Sequence, residues 1–334
     1  MVSIDRLNWI TSVPVGIPVC LLGILGNLVS IGVWMRFVRK RIGSSPSSAI
    51  YFIALGIADT GLLVFFLLTD GFPKAFGSSM AKSYAFVWFH AYVGFPLFFF
   101  FIVASIWLLV GVTINRLIMV RFPLLGRRHC TVNRTCIAIG CILAFCFIIN
   151  FPHFFNYEPI HSKHSSKARM IPTAYSQQGS AKNYEFWVHC MFLVLAPWFS
   201  IAVLNAWLVI TLLYKTKEFQ ELEQNQDKIT ERQKQDRQIT KVLLTVTFAF
   251  LILLAWQCVN QCFFMLQFGK EEGSHQWTFV QETYAFAKLG VVLNSSINCM
   301  LYCFSGSTFR KELRRLVTRA EDTISRRTST PMKT

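Results

Sequence analysis

Three charged residues stand inside or at the end of runs that are otherwise apolar. Asp59 lies midway along Ser47–Thr69, Lys288 lies early in Thr283–Phe304, and Arg116 closes the run Phe95–Ile114. A carboxylate in hydrocarbon is costly, so Asp59 needs polar partners. The candidates are Asn27, Ser105, Asn294, Ser295 and Asn298, and the last asparagine shares a helix face with Asn294 four residues earlier. Two chemistries suit this set. It is either a hydrogen-bonded polar core that fixes helix register, or a hydrated site for Na⁺ or H⁺, because one carboxylate with hydroxyl and amide oxygens suits a hard cation.

Lys288 also has two readings. It snorkels to the nearer interface, or it is the counter-charge for an anionic ligand group in an outward cavity. Residues able to share such a cavity are Tyr284, one turn away, then Phe95, Phe98, Phe99 and Ile102, and Trp187, His189, Gln257, Asn260 and Phe263. An aromatic cleft with one cation and a few amides suits a ligand that combines a ring with a carboxylate or carbonyls. Arg116 either marks a membrane boundary or pairs with Asp236 or Glu231, a contact that would hold two helices together and break on opening. No cluster with metal or nucleophile spacing is seen, which argues against an enzyme.

The elements that carry these residues must be membrane helices. Seven stretches, Asn8–Met35, Ser47–Thr69, Ser83–Asn115, Thr135–Asn156, Phe186–Tyr214, Val242–Phe268 and Thr283–Phe304, are apolar and near or above the ~20 residues that cross a bilayer. Backbone amides in lipid must be satisfied within the segment, and no period-two barrel pattern is present. The fold expected is all-α, a seven-helix bundle. Hydrophobic residues form 53% of the 334, and mean hydropathy is +0.44, high for a soluble domain.

The net charge of +16 could suggest nucleic acid, but its distribution argues for orientation. Loops on one side carry 24 Lys and Arg and those on the other carry eight, so the first side is cytoplasmic and the N-terminus lies outside. With no basic leader and cleavage site, Asn8–Met35 reads as a retained first span. The ten cysteines fall in spans, at their ends or in one inner loop, which favours free buried thiols over a disulfide framework.

Residues 1–304 read as the membrane domain and 305–334 as a short amphipathic helix with an unstructured tail from Ser325. Phe309, Leu313, Leu316 and Val317 recur opposite Arg310, Lys311, Arg314 and Arg315, which suits a helix lying on anionic lipid. The outer loop Tyr157–Glu185 has the composition of a flexible flap. The inner loop Lys215–Lys241 favours helical extensions of the spans around it.

Together these features resemble the rhodopsin-like (class A) G-protein-coupled receptors, over nearly the whole chain. Gly26-Asn27 resembles the GN motif of the first span and Leu55–Asp59 the LxxAD of the second. Asn115-Arg116 with Phe122-Pro123-Leu124 resembles the DRY motif and its downstream PL, and Pro197 matches the proline of span five. Asn294–Tyr302 resembles NSxxNPxxY. The stretches Ile148–Tyr157, Trp187–Cys190, Leu244–Phe248 and Ser105–Trp107 are most similar to invertebrate FMRFamide/myosuppressin receptors and to vertebrate orphan receptors for aromatic amino acids.

The resemblance implies a multi-pass plasma-membrane receptor for an extracellular peptide or small molecule, coupled to a heterotrimeric G protein. Na⁺ would be its only ion, allosteric at Asp59, Ser105, Asn294, Ser295 and Asn298. It places Arg116, Asn115, Asp236, Asn205, Trp256 and Tyr302 in the activation switch. A rival is an ion-coupled transporter or channel using Asp59. The chain departs from the family pattern in four respects. Asn115 replaces the acid beside Arg116. Cys299 and Trp256 replace the prolines of spans seven and six, so straighter helices are expected. Asn205 replaces a tyrosine, and Ala91 together with a cysteine-free outer loop removes the usual disulfide, which would leave that loop free to move.

Overall fold

The computed structural model describes residues 4–42, 46–77, 81–161, 168–223, 231–267 and 275–328. Lys163, Lys167, Lys270 and the end of the sixth predicted span at Phe268 lie outside them, as do the middle of the inner loop and the last residues of the tail. The expected bundle is present. Six helices have the length and apolarity to cross a membrane: span one Asp5–Lys40, two Ser47–Ala75, three Tyr84–Arg121, four Val132–Phe155, five Gly179–Tyr214 and six Lys234–Phe263. A bent pair, Thr283–Ser296 with Asn298–Ser305, forms span seven. Span three is 61% buried over its most apolar stretch and span four 17%, so span three is the axis and span four lies on the rim.

Prolines shape the outer halves. Spans one, two, three and five each widen into a π-helical turn, at Thr11–Gly16, Leu67–Gly71, His90–Gly94 and His189–Leu195. Every one of these turns ends two residues before a proline, at Pro18, Pro73, Pro96 and Pro197. A proline ring displaces the carbonyl four residues earlier and offers it no N–H, and a wider turn absorbs that loss without ending the helix.

Spans six and seven lack a proline; span seven bends nonetheless, so the straighter helix expected from Cys299 is corrected, while span six runs as one membrane-length helix from Lys234 to Phe263. Span six has a single-residue interruption at Leu254, between Glu231–Leu253 and Ala255–Gln267, across which Leu254 N–H still reaches the Phe250 carbonyl (3.0 Å), and span seven bends by 51° at Ile297. In both, a side chain from another span donates to a carbonyl just before that point. Trp198 Nε1 reaches the Leu251 carbonyl (3.2 Å) and Asn27 Nδ2 the Ser295 carbonyl (2.9 Å). Capturing a ladder carbonyl from outside is one of the known causes of a kink. At the same level spans six and seven touch through Gly290, where a Cβ would lie 2.6 Å from the Leu253 carbonyl oxygen.

Among its described residues the outer loop is paired and anchored, not a loose flap. Tyr157–His161 (β1) and Ala168–Pro172 (β2) pair antiparallel, Tyr157 opposite Pro172 and His161 opposite Ala168. The hairpin is fixed to the start of span three, where Ala168 N–H donates to the Lys82 carbonyl (2.7 Å) and His161 stacks on Tyr84 (4.4 Å). Thr173 further ties it to the end of span four through the carbonyls of Phe155 and Asn156. None of the ten cysteines forms a disulfide, so these contacts stand where the usual bridge is missing.

On the inner side spans five and six continue helically to Glu223 and from Glu231. The surface helix is longer than expected, Ser307–Thr328, and covers the start of the tail read as unstructured. It is tied to the bundle by a ring cluster in which Trp34, Phe52 and Phe309 each lie 5.4 Å from Tyr302.

Candidate functional site

The outer cavity, about 530 Å³, opens between the outer ends of spans one, two, three and seven. Phe95, Phe98, Phe99, Tyr284 and Lys288 line it, and sequence reasoning names all five. It also holds Asp5, Trp9, Phe66, Asp70, Lys74 and His90, which that reasoning misses. A narrower pocket continues inward past Phe98, Phe99 and Lys288 to Ile102, Gln257 and Leu254. Three expected members stand apart. Asn260 is buried but donates to Thr283 Oγ1 (2.7 Å), while Trp187 and Phe263 are exposed on the rim and line neither pocket. His189 lies on the π turn of span five, and its side chain is outside the described residues.

Lys288 is not a lone cation. Its Nζ donates to Asp70 Oδ2 (2.9 Å) and Ser12 Oγ (2.9 Å), and Lys74 Nζ meets the other carboxylate oxygen (2.7 Å) and the same hydroxyl (3.1 Å). Asp70 therefore bridges spans two and seven with both oxygens engaged, and Ser12 brings in span one. The helix of span two runs past its predicted end at Thr69, and the π turn Leu67–Gly71 carries Asp70 at its outer end. Two lysines thus share the Asp70 carboxylate, Asp5 brings a second acid to the same cavity, and aromatic rings form the rest of its wall.

Around Asp59, fully buried, Ser105 Oγ donates to Oδ1 (2.6 Å) and Asn298 Nδ2 to Oδ2 (2.7 Å). Asn27 does not reach it, since its amide serves the Ser295 carbonyl. Asn294 is half-buried and makes no hydrogen bond to it among the described residues. The Ser295 hydroxyl faces the carboxylate but lies outside hydrogen-bond geometry, and both it and Asn27 Oδ1 are buried without a partner among the described residues. An unpartnered hydroxyl oxygen facing a buried carboxylate fits a small hard cation. Asp59, Ser105 and Ser295 are the residues that would hold it.

At the inner mouth Arg116 is 1% exposed. Its Nε donates to Thr240 Oγ1 (2.7 Å), its Nη2 to the Asp236 carbonyl, and the Asp236 carboxylate lies 3.5 Å away. Three contacts thus join span three to span six. The Glu231 side chain is outside the described residues. Asn115 turns from Arg116 and donates to Ser47 (3.1 Å) and Ser48 (3.3 Å) at the start of span two. Asn205 Oδ1 accepts from Thr247 (2.9 Å), which joins spans five and six. Tyr302 is buried in its ring cluster, and Trp256 is exposed two residues past the interruption in span six.

These features define a seven-helix membrane protein with an outward cavity, a polar core and a basic inner mouth. The family model for the 7 transmembrane receptor (rhodopsin family) matches residues 26–302, and the chain belongs to that family. It is a multi-pass protein of the plasma membrane. It is 24% identical over 313 residues to the FMRFamide receptor of Drosophila melanogaster, covering 91% of this chain and 53% of that protein. It is 24% identical over 302 residues to the neuromedin-K receptor of Cavia porcellus, covering 87% and 61%. A third relative is the chemerin-like receptor 1 of Mus musculus, 22% identical over 334 residues, covering 92% and 78%. The chain thus spans little more than half the length of the first two.

Proposed function

We propose that the chain is a receptor, not an enzyme, that takes an extracellular neuropeptide or aromatic amino acid into the outer cavity and activates a heterotrimeric G protein at the inner mouth. The observation that carries this reading is the pairing of that aromatic, cation-bearing cavity with the Arg116 contacts bridging spans three and six at the opposite end. Relatives named for FMRFamide and neuromedin-K support the peptide class. A ligand carboxylate or carbonyl would compete with Asp70 for Lys288, which changes the tie between spans two and seven. Ligand and G protein would then favour the same open conformer, each raising affinity for the other. Na⁺ at Asp59, Ser105 and Ser295 would favour the closed one.

The test is expression of the full chain with a panel of G-protein reporters, screened with amidated peptides and aromatic amino acids. Activation by a ligand of either class, with potency reduced in Lys288→Met at equal surface expression, is the expected result. Silence under every ligand, together with an ion flux that Asp59→Asn abolishes, would overturn the receptor reading.

A further inference from the structure

Three cysteines gather at the outer ends of spans five and six, in a part of the bundle that neither the ligand cavity nor the polar core uses. Cys190 lies on the π turn His189–Leu195 of span five. Cys258 and Cys262 lie four residues apart on one face of Ala255–Gln267 in span six, and the two elements pack against each other. Cys190 is fully buried, and its Sγ accepts a hydrogen bond from Nε2 of Gln261 (2.7 Å), the residue directly before Cys262. Cys262 is exposed, one residue from the outer end of span six at Phe263. It stands within electrostatic reach of both other thiols.

An exposed thiol next to a buried one on a facing helix is the arrangement of a reactive cysteine and the cysteine that resolves it. The outer side of the membrane is also its oxidising side, and an oxidant arriving from solvent meets Cys262 first. Cys258 is a poorer partner for Cys262. Residues four apart on a helix hold their Cβ atoms about 5–6 Å apart, whereas a disulfide needs about 3.5–4.5 Å. The bond that the geometry favours therefore runs between helices. The same π turn carries Leu193 and Val194, which line the narrow inner pocket together with Leu254 and Gln257 of span six. A covalent tie at Cys190 would fix the width of that wall.

We propose that Cys190 and Cys262 form a reversible disulfide that ties the outer ends of spans five and six, with an extracellular peroxide as the oxidant. Peroxide converts the Cys262 thiol to a sulfenic acid: one oxygen passes to sulfur and the other leaves as water. The Cys190 sulfur then attacks the sulfenic sulfur, the S–S bond forms, the S–O bond breaks, and a second water leaves with the Cys190 proton. Two thiols thus give two electrons and two protons to one peroxide, and Gln261 gives up its hydrogen bond to Cys190. The site does not depend on the receptor reading above. The test uses the full chain in lipid nanodiscs, reduced, freed of reductant and exposed to hydrogen peroxide, then alkylated with N-ethylmaleimide and mapped by mass spectrometry. A peptide joining Cys190 to Cys262 should appear, exceed every other cysteine pair about tenfold, and vanish with dithiothreitol. The unfolding midpoint of the oxidised chain should rise by about 5 °C, since the bond closes a loop of about 70 residues in the unfolded chain. Cys262→Ser should lose that rise, and Cys258→Ser should keep both the rise and the linked peptide. Cys190 still open to alkylation while Cys262 is over-oxidised, a bond that runs mainly through Cys258, or no oxidation of either residue overturns the pair. Should Cys262→Ser not fold, the peptide map of the unaltered chain decides alone.

Discussion

Asp70 shows how a single residue changes the meaning of its neighbours. With it in place Lys288 is a bridge between spans; without it Lys288 and Lys74 would face each other as like charges. Asp70→Asn should therefore lower stability by about 1–3 kcal/mol, a range reduced because the carboxylate is a quarter exposed. Lys288→Met should cost less, since Lys74 still holds Asp70. Thermal unfolding of the purified protein checks the order, and equal midpoints for the two variants would deny the bridge. Arg116 supplies a second case. Asp236→Ala removes its nearest carboxylate but leaves the Thr240 contact, so basal signalling should rise by a few fold and not to full activation. Reporter activity without ligand measures this, and an unchanged baseline would reject the restraint. Much of this chemistry is legible in the residues, because an ionisable group in an apolar run must have a partner. Asp70 is not legible, because Asp70-Gly71-Phe72-Pro73 reads as a turn until the π turn carries the helix through it.

At the scale of elements, the seven spans are legible because length and apolarity alone decide them, while their bends are not. Proline marks four wide turns, and each lies in an outer half, which swings Asp70 and His90 toward the cavity. The bend of span seven and the interruption of span six have another origin, donors from distant parts of the chain, which no local pattern announces. The outer hairpin is hidden for the same reason, since its anchor is the backbone of Lys82. Gly290→Ala tests how closely spans six and seven are held. Its Cβ would sit against a backbone oxygen at 2.6 Å, so the spans must part, at about 1–3 kcal/mol. A lower unfolding midpoint is expected, and a neutral result would mean the spans separate freely. The surface helix has a pH limit. Burial alone would raise the Glu312 carboxyl, yet hydrogen bonds and charge from Lys40 and Arg315 hold it below its ordinary value of 4.5. A depressed carboxylate stabilises the docked helix above the ordinary value and loses that contribution as pH falls through the lowered one. Spin labels on span one and the surface helix should keep one distance from neutral pH down to that range and separate below it.

On the scale of the whole molecule, polar groups stand at three depths along one axis, with Lys288 and Asp70 outside, Asp59 in the middle and Arg116 inside. Span seven connects all three levels, since Lys288 faces the cavity, Asn298 donates to Asp59 and Tyr302 sits in the ring cluster above the surface helix. Its 51° bend at Ile297 falls between the first group and the other two, and Asn27 of span one holds the carbonyl beside it. A change at Lys288 can therefore reach the core by rotating one half of a bent helix rather than by repacking the bundle. The Asp59 site is where such a rotation would be opposed. A cation there would meet Ser295, on the outer half of span seven, and Asp59, which holds Asn298 on the inner half, and would so tie both sides of the bend to span two. If Na⁺ occupies it, raising NaCl against choline chloride at constant ionic strength should weaken agonist potency in the native chain. Asp59→Asn, which removes the charge and keeps the shape, should flatten that dependence while ligand still binds. A salt dependence equal in both proteins would assign the effect to screening of the basic surfaces, and the middle of the axis would then be a hydrogen-bonded core and nothing more.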